Sequence, residues 1–74
     1  MTPIIDAAAG LRIVARARKA GMGFGAILDA LGVTDSTIRS WRAKPEAVPQ
    51  ARVRKALAAL REKVRAERRK AVTR

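Results

Sequence analysis

Residues 24–43 read FGAILDALGVTDSTIRSWRA, and the spacing in this stretch decides the fold. Ile27, Leu28 and Leu31 recur at helical steps and stop at Gly32, which marks a helix of about two turns. Thr34 is a natural N-cap with Asp35 in the first turn after it, and Ile38 and Trp41 are three apart on one face of a following helix that reaches about Lys44. Ile27, Leu31, Val33, Ile38 and Trp41 can meet in one small core. Gly32 supplies the backbone freedom for a tight turn that sets two helices at roughly 90–120°.

Burying that face leaves Asp35, Ser36, Arg39, Ser40 and Arg42 outward. A helix that shows short polar residues near its N-terminus and an arginine one turn on suits the major groove of a duplex, where arginine pairs bidentately with guanine. The residues are therefore assigned as follows. Arg39 is expected on a base edge, with phosphate contact or plain solvation as alternatives. Asp35 either accepts from a cytosine amino group or complements the positive helix end. Thr37, Arg42 and Lys44 are assigned to backbone phosphates. Trp41 is read as core.

Outward from this stretch, Thr2 with Pro3 reads as an N-cap and first helical residue, and Asp6 adds a favourable charge nearby. Ile4, Ala8, Leu11 and Val14 or Ala15 are expected to face inward, and Arg12, Arg16 and Lys19 outward. Gly10 is expected to weaken this helix by about 1 kcal/mol relative to Ala. Gly21, Gly23 and Gly25 then make a permissive joint. Beyond Pro45, Pro49 is expected in the first turn of a long helix from about Val48 to beyond Arg69. Val53, Leu57, Leu60 and Val64 form its apolar seam. From about Arg65 the large apolar residues run out, so Arg65, Arg68, Arg69 and Lys70 are expected on a projecting or fraying basic tail able to touch DNA. The reading is an all-α bundle of about four helices, with residues 1–62 as the domain and 63–74 as a basic helical extension.

Charge points the same way. The chain carries 17 Lys and Arg against 6 acids, a net charge of +11. Ten of the basic residues and two of the acids fall in residues 51–74, net +8, which leaves +3 for residues 1–50. Such a field favours a polyanionic partner. With no Cys and no His, disulfides, thiolate chemistry, imidazole metal sites and His-based catalysis are excluded. The six acids show no metal-binding or acid/base spacing and no P-loop is present, so no enzyme, metal, cofactor or small-molecule ligand is expected. No apolar run approaches the roughly 20 residues of a membrane span, and the first residues lack signal-peptide character. The protein is expected in the cytoplasm, with the nucleoid.

The residues Leu31-Gly32-Val33-Thr34 followed by Ser36-Thr37-Ile38 resemble the helix-turn-helix of the Cro and phage-repressor family. Arg18-Lys19-Ala20-Gly21-Met22 is similar to the end of that family's first helix. Trp41-Arg42-Ala43-Lys44-Pro45 with Val48-Pro49 is similar to its passage into the next, so the likeness covers about residues 4–60. The resemblance implies base contacts at Asp35, Ser36, Arg39 and Ser40 and a phosphate contact at Thr34. A single short reading helix covers too little sequence for specificity, so a homodimer on double-stranded DNA is expected, acting in transcription regulation. One position departs: where the family has Ala, this chain has Leu28. That implies a wider helix crossing, a shifted alignment, or another helix-turn-helix branch such as recombinases or small terminase subunits. Two rivals stand beside the regulator. One is a packaging or architectural protein with little sequence preference; the other is a module whose basic helix binds an acidic protein. The long helix has three open uses: packing on the core, self-association through Leu60 and Val64, and DNA contact by its basic end.

Overall fold

The first backbone N–H groups of a helix have no partner within it, and here they are met by a loop distant in sequence. In the computed structural model, which describes residues 4–72 and side chains as far as Glu67, Ala7 N–H donates to the Ala47 carbonyl at 2.8 Å and Ala8 N–H to that of Pro45 at 2.9 Å. Asp6 caps the next group, its Oδ1 accepting from Ala9 N–H at 2.9 Å. Helix α1 is therefore Ala7–Lys19. This corrects the start expected at Thr2 and Pro3, two residues outside the described ones; Ile4 and Ile5 are not helical.

The inward face also differs from the expected one. Ala7, Gly10, Ile13, Val14 and Ala17 are buried, whereas Ile4 is 68% exposed and Ala15 is exposed. Of the expected inward residues, Val14 is buried, Leu11 packs half-buried against the core and Ala8 is half-buried. Arg12, Arg16 and Lys19 are exposed, as the spacing predicts.

Helix α1 ends before Gly21, whose φ of +103° is open to glycine at no steric cost. Helix α2 is Phe24–Leu31 and ends on Gly32 at φ +66°. Helix α3 is Asp35–Ala43, with the Thr34 hydroxyl accepting from Thr37 N–H. Helix α4 is Ala51–Val72. The fold is all-α with four helices, and the described residues hold no strand.

One expectation about α4 is corrected. It begins at Ala51 rather than Val48: Pro49 lies before the helix, its carbonyl accepting from the Arg54 guanidinium, and the first helical bond runs from Arg54 N–H to the Gln50 carbonyl at 2.9 Å. Val48 is left 55% exposed. The helix continues through the basic segment to Val72, in line with the expected reach beyond Arg69.

The seam of α4 packs on its own chain. Val53, Leu57, Leu60 and Val64 are buried in one cluster with Ile13, Ala17, Ile27, Leu31, Ile38 and Trp41. Leu60 and Val64 are 4% and 5% exposed, so neither is free to hold a second copy. No polar or charged residue among those described is buried.

Gly10 is where three helices meet. A Cβ there would lie 3.0 Å from Trp41 Cζ3 and 3.2 Å from Leu57 Cδ1. The glycine that weakens α1 on propensity is thus what allows α3 and α4 to close on it. Both neighbours are buried, with little room to give. Gly10→Ala gains about 1 kcal/mol of helix propensity and loses about 1–3 kcal/mol to overpacking. The expected result is a melting temperature lower by a few degrees, on the scale of about 4–8 °C per kcal/mol for a domain this small. Thermal unfolding followed by circular dichroism checks it, and a higher melting temperature would contradict the close-approach account.

Candidate nucleic-acid interface

Burial of Ile38 and Trp41 fixes which way α3 faces, because both side chains point into the core. The arc opposite them carries Asp35, Ser36, Arg39 and Ser40, all exposed. The structure thus brings the four proposed base-contacting residues together on one open helical surface. Arg39 is not a loose side chain there. Its Nη2 lies 3.0 Å from Asp35 Oδ2, with the two side chains 76% and 53% exposed. An exposed i,i+4 pair of this kind is worth about 0.3–0.5 kcal/mol, so an anion or a base edge can take the guanidinium at small cost. Of the two roles open to Asp35, the geometry adds a third: it orients Arg39.

Thr37 and Arg42 lie on opposite flanks of this arc. Five residues apart, they are separated by about 140° around the helix. On the Thr37 flank a cleft of about 360 Å³ opens between the α2–α3 turn and the start of α4, lined by Thr34, Thr37, Gln50 and Arg52 with Val33 and Trp41. The Thr34 and Thr37 hydroxyls are 3.2 Å apart at its edge. On the Arg42 flank a second groove, about 170 Å³, runs between α1 and α3 over Leu11, Val14 and Ile38, with Arg18 and Arg42 beside it. Arg18 is steered there by Phe24, its guanidinium carbon 5.4 Å from the ring centroid, a distance at which the ring face attracts a cation.

Thr34, Thr37 and Arg42, expected at phosphates, border these two recesses, and so do Arg18, Gln50 and Arg52, which the sequence pattern did not single out. Arg18 is on α1, Arg52 on α4 and Gln50 just before α4, and only the packing of those helices brings them alongside α3. Lys44 is exposed just past the end of α3. Arg65 is exposed on α4, where its Nη1 lies 3.5 Å from Glu62 Oε1. The side chains of Arg68, Arg69 and Lys70 lie outside the described residues.

The main contacts of α2 are with α1 and α4, and those of α3 are with α1. Leu28 is half-buried against the core. Among the described residues no three acidic side chains gather in a metal-binding group, and no helix is long and apolar enough to cross a membrane. In comparisons with known proteins, no family model matches the chain, and neither a curated protein sequence nor a solved structure shows significant similarity to it.

The exposed arc makes few contacts within the chain, so it is separable from stability. Ser36→Ala, Arg39→Ala and Ser40→Ala are each expected to change the unfolding free energy by no more than about 0.5 kcal/mol. Urea titration of the three variants measures this. A loss of several kcal/mol at any of them would mean that the arc belongs to the core architecture.

Proposed function

We propose that this protein binds double-stranded DNA with α3 in the major groove, as a small regulator of transcription. The observation that carries the reading is the arrangement around α3: an outward arc of Asp35, Ser36, Arg39 and Ser40, with a hydroxyl-lined cleft on one flank and a pair of arginines on the other. A recognition helix in the major groove has a phosphate backbone on each side. The two flanks match that requirement, Thr34, Thr37, Gln50 and Arg52 serving one strand and Arg18 and Arg42 the other.

Specificity comes from few groups. Arg39 donates to guanine O6 and N7 while Asp35 holds its plane, and Ser36 and Ser40 add single hydrogen bonds. Affinity comes mainly from charge, because the net +11 draws the chain to any duplex and neutralised phosphates release counterions. One short helix reads about three or four base pairs, so two copies are proposed on a two-fold site with half-sites about 34–36 Å apart. Leu60 and Val64 do not join them, and another surface must.

The salt dependence of binding tests this account. With about six phosphates neutralised, the slope of log affinity against log salt is expected near −5, and Arg42→Ala should make it shallower by about 1. Arg39→Ala should leave the slope nearly unchanged and reduce the preference for a selected site over random duplex by about 1–3 kcal/mol. A slope near −1 would remove the electrostatic part. An unchanged preference in Arg39→Ala, with preference near unity in the wild type, would favour the architectural role, in which α3 sits on DNA without reading it.

A further inference from the structure

The two ends of the bundle differ in charge and in what they expose. Ala7 N–H donates to the Ala47 carbonyl and Ala8 N–H to that of Pro45, so the start of α1 and the loop between α3 and α4 share one end of the molecule. Ile4 is three residues of chain from that tie, at most about 10 Å, and Val48 directly follows Ala47. Both lie on non-helical backbone. They are the large apolar side chains left exposed among the described residues.

This end is also the one without cations. Residues 4–10 and 45–51 hold two acids, Asp6 and Glu46, and none of the 17 Lys and Arg, so the rest of the chain carries a net +13. Lys44 and Arg52, the nearest cations in sequence, stand outside the loop. At the opposite end, where the second half of α1 lies against that of α4, Arg16, Lys19, Lys63 and Arg65 are exposed.

We propose that the cation-free end is where two copies of the chain meet, Ile4 and Val48 of one against those of the other across a two-fold axis. The proposal rests on the major-groove reading, which needs two copies and finds Leu60 and Val64 buried. Charge selects the occupant. A chain of +11 repels its own copy, and contact through the end that holds no Lys or Arg opposes association least. A polyanion is drawn elsewhere, since Asp6 and Glu46 oppose it here. Two exposed apolar side chains per copy make a small contact, of the class below about 1,200 Å². The copies are therefore separate when dilute, and a two-fold DNA site joins them by holding them at high effective concentration. Val48 also lines the cleft on the Thr37 flank, so the contact lies beside the reading helix and keeps the basic ends apart.

The test is methyl NMR on the full chain without DNA, from about 0.02 to 2 mM at near-physiological salt. The Ile4 and Val48 methyl resonances are expected to shift with concentration and to fit a dissociation constant of about 0.1–1 mM, while the Leu11 methyls, in the groove between α1 and α3, stay fixed. Ile4→Lys and Val48→Lys alter exposed residues and keep the fold, and each should weaken self-association by about tenfold or more. Ala59→Lys adds the same charge to an exposed position of α4 and should weaken it less than about twofold. The proposal is overturned by Ile4 and Val48 methyls that do not move with concentration, or by equal losses in Val48→Lys and Ala59→Lys. It is equally overturned if the Val48 methyls move only when duplex is added, which would assign Val48 to the DNA surface. The DNA reading fails separately. A monomer that still selects a two-fold site would overturn this contact alone, whereas self-association through this end with no preference among duplexes would support the contact and overturn the reading.

Discussion

The contact of Gly10 with Trp41 and Leu57 is the constraint on which the rest of the structure depends. Without a side chain at Gly10, α1 lies close enough for the indole of α3 and a seam leucine of α4 to pack against it together. Trp41 is the largest apolar side chain of α3, and once it is inserted there the rotation of α3 about its own axis is settled. The outward arc of Asp35, Ser36, Arg39 and Ser40 follows from that rotation. So do its flanks, since Arg18 comes from the same α1 and Arg52 from the same α4 that hold Trp41 in place.

Chemistry is divided cleanly between inside and outside. The described core is wholly apolar and the charges are on the surface, so the interior supplies stability and the exterior is free to serve recognition. A domain of 74 residues has a small margin of stability, and this separation lets surface residues change without drawing on it. The Asp35–Arg39 pair fits the same logic: strong enough to bias a side chain, too weak to lock it.

The sequence was most legible where structure is local. Thr34, Gly32 and the Ile38 and Trp41 spacing define α2, the turn and α3, and the four-three-four spacing of Val53, Leu57, Leu60 and Val64 identifies the buried seam. It was least legible where partners come from afar. The start of α1 depends on the carbonyls of Pro45 and Ala47, which no local pattern reveals, and Ile4, counted with the inward face, lies outside the helix and is exposed. Gly10 reads as a cost in its own helix, and its use is visible only with Trp41 and Leu57 beside it. Arg18, and Gln50 with Arg52, likewise come alongside α3 only through the packing of α1 and α4.

The central claim is that the exposed arc of α3 reads base sequence in duplex DNA. Selection of bound duplexes from a random library, carried out in parallel with the wild type and Arg39→Ala, tests it most directly. The account predicts that the wild type enriches a two-fold site containing guanine, with half-site centres about 10–10.5 base pairs or a multiple apart, and that Arg39→Ala loses the guanine. Recovery of unselected sequence by the wild type, or of the same site by both proteins, would contradict it.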